Sequence, residues 1–133
     1  MTVRILVVDD HAVVRHGITT LLSSYPEWEV IDEAVDGLEA VEKANRLKPD
    51  IVVLDVTMPG MDGLEACQRI RKSVPEVEVL IVTQHDSPQM MREAVRAGAR
   101  GYVVKSNVAR DLPTAIEAVS LHKPFISLNH GKP

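Results

Sequence analysis

The feature that most constrains this chain is an alternation of short runs rich in Val, Ile and Leu with longer stretches whose apolar residues recur at helical spacing. Val3 to Val8, Glu29 to Ala34, Ile51 to Leu54, Val79 to Val82 and Gly101 to Val104 read as five strands, each followed by a helix. The first, third and fourth are nearly continuously apolar, which suits strands covered on both faces. The pattern predicts an α/β fold: a doubly wound, five-stranded parallel sheet with helices on both sides.

Helix punctuation agrees with this division. Asp36 with Glu39, and Asp62 with Glu65, are spaced as capping boxes. Ser87 before Pro88 supplies an N-cap and a first-turn proline, and Gly98 is placed to end that helix in a left-handed conformation. Ile18, Leu21 and Leu22 share one face of the first helix, and Leu38, Val41 and Ala44 share one face of the second. Pro113 interrupts the last helix, so a kink or a late start at Asp111 is expected.

A chain of 133 residues fits one domain. Residues 1–123 read as that domain and 124–133 as a C-terminal tail or the start of a linker. Aromatic residues are 3% of the chain, so the core must be aliphatic. The net charge of -4 weighs against direct nucleic-acid binding, which depends on clustered Lys and Arg. Cys67 is the single cysteine and reads as a small packed side chain rather than a redox sensor. No run reaches the roughly 18 apolar residues of a membrane span, and a cytoplasmic location is the default expectation.

The chemistry concentrates at strand ends. Asp9 and Asp10 follow ILVV, and Asp55 follows IVVL, so all three carboxylates fall at the carboxyl edge of the sheet, where open α/β folds bind ligands. Two like charges about 4 Å apart repel by roughly 4 kcal/mol at an effective dielectric near 20, so the cluster calls for a cation or shifted pKa values. Mg²⁺ suits it, as a small ion that favours carboxylate, water and phosphate oxygens. The blander reading is that Asp9 or Asp10 caps the helix beginning near Ala12. Thr83 ends the fourth strand and Lys105 follows the fifth, adding a hydroxyl and a cation to the same edge.

These residues, in the stretches ILVVDDH, VVLDVTMPGMDGLEA, VLIVT and GARGYVVK, resemble the receiver domains of two-component response regulators over essentially the whole chain. DDHAVVRHGI and the Lys105–Ser106 pair are most similar to the NarL/FixJ (LuxR-type) branch. The resemblance implies the flavodoxin-like strand order 2-1-3-4-5 and phosphoryl transfer from a histidine kinase to Asp55. It implies Mg²⁺ held by Asp9, Asp10, Asp55 and the Thr57 carbonyl, with Thr83 and Lys105 on the phosphoryl oxygens. Asp55, Thr83 and Lys105 are then the reacting set of a protein that catalyses only its own modification. In the family the switch Thr moves toward the phosphate and an aromatic on the fifth strand turns inward, the position held here by Tyr102. The face built from the fourth helix, fifth strand and fifth helix is where receivers dimerise on phosphorylation or meet an output partner. Members of the branch usually continue into a DNA-binding domain that controls transcription.

The chain also departs from the family pattern. Gln84 stands where a small residue usually follows the switch Thr and either narrows access to Asp55 or points into solvent. Ser106 replaces a proline often found in a cis peptide. His11 reads as a solvent-facing histidine at a helix start, although it follows the acidic pair. His85 reads equally as a loop residue or as one that tunes water access. Three other functions fit these residues less well. An aspartyl-nucleophile phosphatase needs an Asp where Thr57 stands. A flavodoxin-like carrier needs a Ser/Thr-rich phosphate cradle and more aromatics. A phosphorylation-independent docking module has no need of the five polar residues at the strand ends.

Overall fold

The computed structural model describes residues 2–129. Its elements are β1 (Val3–Val8), α1 (Ala12–Ser23), β2 (Trp28–Ala34), α2 (Gly37–Leu47), β3 (Ile51–Leu54), α3 (Gly63–Ser73), β4 (Glu78–Thr83), α4 (Pro88–Arg96), β5 (Gly101–Val104), α5 (Val108–Ser120) and β6 (Phe125–Ile126). All strand pairs are parallel and the order is β2-β1-β3-β4-β5-β6. The predicted order 2-1-3-4-5 is present, but the sheet has six strands rather than five. Phe125 and Ile126 are too few to show an alternating pattern in sequence, and they form a strand because β5 offers an unpaired edge.

Each central strand sends alternate side chains to two separate cores, as the period of two requires. Leu6, Val8, Val52, Leu54 and Ile81 pack under α2, α3 and α4 against Ala40, Ala44, Ala66 and Ile70. Ile5, Val7, Val53, Leu80 and Val82 pack under α1 and α5 against Ile18, Leu22, Leu112 and Ile116. Each fully buried Leu or Ile contributes roughly 1.5–3 kcal/mol, so the aliphatic strands dominate the stability of the fold.

The caps behave largely as the spacing predicts. The Asp36 and Asp62 carboxylates accept from the N–H groups of Glu39 and Glu65, and the Ser87 hydroxyl accepts from Met90 N–H. The return contacts differ: Glu39 accepts from Val35 N–H, while Glu65 pairs with Arg69. Gly98 adopts φ 107°, as a helix stop of this kind needs. Leu38 departs from expectation. It is 62% exposed, because α2 turns Ala40 and Ala44 toward the sheet instead. The last helix starts at Val108, not Asp111, after a 3-10 turn at Lys105–Asn107, and it continues through Pro113. The buried Leu112, Ala115 and Ile116 around that proline outweigh one missing backbone bond.

Candidate functional site

The site rests on the carboxyl ends of β1, β3, β4 and β5. β1 and β3 are adjacent and pair Val8 with Leu54, so the residues that follow them, Asp9 and Asp55, emerge side by side. Both are nearly fully buried, at 1% and 3% exposure. Gly63 keeps the space beside Asp55 tight: a Cβ there would lie 2.0 Å from the Asp55 carbonyl oxygen, so the start of α3 can approach β3 only with glycine.

Lys105 joins the carboxylates. Its Nζ donates to Asp55 Oδ2 at 2.9 Å and lies 2.9 Å from Asp9 Oδ2. Burial works against the charged ammonium, but the hydrogen bonds and charges of Asp9 and Asp55 outweigh it and hold the Lys105 pKa above the ordinary lysine value. Asp10 lies outside this pairing. Its Oδ1 is buried without a hydrogen-bond partner and approaches only His11 Nδ1, at 3.2 Å. His11 is mostly exposed, as expected, yet its Nδ1 also lies 3.3 Å from Asp9 Oδ1, and Asp9, Asp10 and His11 offer ligand atoms within 4.8 Å of one another.

Hard oxygen donors with one orphaned carboxylate oxygen fit Mg²⁺ better than a soft metal. The structure thus joins Asp9 and Asp55 through Lys105 and sets Asp10 beside Asp9, with His11 rather than Asp55 completing that group of ligand atoms. Thr57 adjoins them, its N–H donating to Asp55 Oδ1 at 3.4 Å. Thr83 is fully buried at the end of β4, and its hydroxyl accepts from His85 N–H at 3.4 Å rather than contacting Asp55.

His85, which the sequence leaves open between a loop residue and one that tunes water access, contacts three residues of the site. Its Nε2 meets the Thr57 hydroxyl at 2.8 Å, and its carbonyl accepts from the Tyr102 hydroxyl at 2.5 Å. Tyr102 is fully buried, and burial reinforced by the Asp86 charge pushes its hydroxyl up to about 12. Gln84 is exposed, and its neighbour His85 is the residue of this loop that contacts Thr57. Arg15 is a residue that sequence reasoning missed: it donates to the Asp9 carbonyl at 2.7 Å and to Glu33 at 2.7 Å, fixing the loop that presents the acid pair. The Lys105–Ser106 peptide is trans. Cys67 is buried and donates to the Ala97 carbonyl, and burial pushes its thiol up to about 12, in keeping with a packing role.

Residues 5–117 match the family model for the response regulator receiver domain. The transcriptional regulatory protein LiaR of Bacillus subtilis (strain 168) is 36% identical over 122 residues, covering 92% of this chain and 58% of that protein. The response regulator protein VraR of Staphylococcus aureus (strain NCTC 8325 / PS 47) is 39% identical over 120 residues, covering 90% of this chain and 57% of VraR. The chain therefore spans less than two thirds of the length of these curated relatives. A two-component response regulator of the LuxR family from Aurantimonas sp. SI85-9A1 superposes with a TM-score of 0.92 at 40% identity, covering 96% of this chain and 91% of that one.

Proposed function

The chain belongs to the response regulator receiver domain family, and from that premise we propose that Asp55 accepts a phosphoryl group from a histidine kinase in a Mg²⁺-dependent reaction. The observation that supports this reading is the buried Asp55 carboxylate, held by the same Lys105 ammonium that pairs with Asp9, with an Asp10 carboxylate oxygen next to Asp9 buried without a hydrogen-bond partner. The carboxylate attacks phosphorus, forming an O–P bond as the P–N bond of the donor's phosphohistidine breaks and its electron pair returns to the ring nitrogen.

Lys105 would stabilise the charge gathering on the phosphoryl oxygens, and the Thr83 hydroxyl, which accepts from His85 N–H through a lone pair, would donate its own proton to one of them. Asp9, Asp10, Asp55 and the Thr57 carbonyl would hold the ion, which supplies charge neutralisation on the transferring group. Water attack on the acyl phosphate would end the signal. By analogy with LiaR, described as a transcriptional regulatory protein, the whole protein would pass the signal to a DNA-binding domain. Tyr102, already buried against β4, would couple Thr83 to the output face.

Intact mass after incubation with Mg²⁺ and acetyl phosphate should rise by one phosphoryl group. The increment should vanish with EDTA and in Asp55→Asn. Persistence of the label in Asp55→Asn would rule out the assignment.

A further inference from the structure

Residues 125–129 do more than extend the sheet. Phe125 N–H donates to the Arg100 carbonyl at 3.2 Å and Ser127 N–H to the Tyr102 carbonyl at 2.9 Å, so the segment lies along the outer edge of β5 between α4 and α5. It is clipped to both cores, with Phe125 packed on the α1/α5 side and Leu128 on the α4 side. The Ser127 hydroxyl donates to Asp111 on α5. Asn129 closes the segment with three bonds. Its N–H donates to Asp86 Oδ1 at 2.8 Å, its Oδ1 accepts from Asn107 Nδ2 at 2.6 Å, and its Nδ2 donates to Ser106 Oγ at 3.1 Å.

The anchors of Asn129 stand next to the acceptor machinery. Asp86 lies in the loop whose neighbouring His85 contacts Thr57, Thr83 and Tyr102. Ser106 and Asn107 form the 3-10 turn begun by Lys105, which holds Asp55 and Asp9. Phosphorylation replaces the Asp55 carboxylate, of one negative charge, with an acyl phosphate of about −1.5 to −2, a net gain of about 0.5–1 negative charge. It also places three more acceptor oxygens beyond the present carboxylate, so Lys105 and Thr83 must shift to meet them. Asn129 bridges the two segments that carry these donors, and hydrogen bonds weaken steeply when their geometry shifts. Without the Asn129 bonds the segment keeps the backbone bonds from Phe125 and Ser127, the Ser127–Asp111 contact and the packing of Phe125 and Leu128, a small set for a two-residue edge strand whose Ile126 is 41% exposed.

We propose that residues 125–129 form a strap that closes the β5 edge in the unmodified protein and is released when Asp55 is phosphorylated, uncovering that edge between α4 and α5. This rests on Asp55 being the acceptor. Release is an equilibrium coupling, so loosening the strap must in turn favour loading of Asp55 by the same factor.

The full 133-residue chain, with Mg²⁺ and beryllofluoride as the phosphoryl mimic, tests this. Fluorine NMR reports loading, and amide exchange reports the strap. Loading should speed exchange of the Ser127 and Asn129 amides by about fivefold or more, and N129A should both speed Ser127 exchange without the mimic and tighten beryllofluoride binding by a similar factor. Loading with unchanged exchange at both amides overturns the strap while leaving Asp55 as acceptor. So does an N129A chain with a loosened tail and unaltered beryllofluoride affinity. Absence of loading removes the acceptor assignment and the strap together.

Discussion

At the amino end of β4, Glu78 is buried with Arg71 Nη1 at 3.2 Å, Arg100 Nε at 3.1 Å and His122 Nδ1 at 2.7 Å. At the opposite end of the sheet, Asp9 and Asp55 share the ammonium of Lys105, and Asp10 stands beside them without reaching it. One buried carboxylate thus has two guanidinium partners, while three carboxylates have one cation. The strands between are equally apolar, so packing does not separate the two ends. The difference lies in compensation. Glu78 Oε1, like Asp10 Oδ1, is buried without a hydrogen bond, so the contrast lies in charge. Glu78 with its two guanidinium partners ties α3, β4, β5 and the end of α5 together, whereas a deficit of positive charge leaves the other end ready to take up a cation and a phosphoryl group.

The largest expected effect breaks the comparison on function. Asp55→Asn should abolish phosphoryl uptake from acetyl phosphate. Lys105→Ala should slow uptake by about a hundredfold, as loss of one preorganised charge does elsewhere. Glu78→Gln should leave the rate within about twofold, because its partners are not shared with the acceptor site. A Glu78 change that lowered uptake as severely as Lys105→Ala would mean the two ends are one network.

Stability should reverse the ranking. Glu78→Ala removes the partner of Arg71 and Arg100. Breaking a buried pair costs about 3–5 kcal/mol, but Arg100 is 37% exposed and water takes up part of its charge, so a loss of about 2–3 kcal/mol is expected in urea unfolding. Asp55→Asn should cost far less or nothing. Equal losses at both ends would erase the distinction between them.

Much of this contrast can be read from the sequence, though unevenly. ILVV and IVVL announce strands whose following residues share one edge, and so Asp9, Asp10, Asp55, Thr83 and Lys105 are legible from position alone. Glu78 is not, because an acid at a strand start resembles any solvated charge until Arg71, Arg100 and His122 arrive from three other elements. His85 stays open in the sequence for a similar reason: its role depends on Thr57, Thr83 and Tyr102 meeting it, and neither spacing nor residue type records that. Leu38 misled because an apolar residue at helical period is expected inside, while the rotation of α2 is set by the small Ala40 and Ala44. Phe125 and Ile126 form a strand only because β5 is there to receive them.

Alkaline titration sharpens the comparison. Tyr102 and Lys105, both at the acceptor end, have folded pKa values raised above 10.0 and 10.5 respectively. The folded state holds both protons more tightly than the unfolded chain. Their contributions are therefore intact below those ordinary values and are lost as pH rises through the folded ones. For Tyr102, with a folded value of about 12, the loss should reach about 1.4 kcal/mol near pH 11. Tyr102→Phe should flatten that part of the stability profile, and amide exchange should loosen first around β5 and the loop at 84–87 rather than around Glu78. Loosening that begins at the Glu78 end would place the sensitive protons elsewhere.

The smallest effect tests the charge deficit itself, through the carboxylate that Lys105 does not reach. Asp10 Oδ1 is buried with no hydrogen-bond partner, and the side chain is 25% exposed, so its charge is only partly screened from Asp9. Asp10→Asn keeps the shape and removes one negative charge. In EDTA the variant should be more stable than the parent by about 0.5–1 kcal/mol, because repulsion within the cluster is relieved without leaving a cation unpaired. Mg²⁺ should reverse the order. An ion that binds only the folded parent stabilises it by about 0.8 kcal/mol at roughly three times its Kd, and the variant should gain much less, so the two stability curves should cross as Mg²⁺ rises. A variant less stable than the parent even in EDTA would mean that Asp10 is already compensated and serves only to position α1. Parallel curves with no crossing would mean that the acid pair does not hold the ion. Only a crossing is consistent with an end of the sheet kept short of positive charge so that Mg²⁺ can supply it.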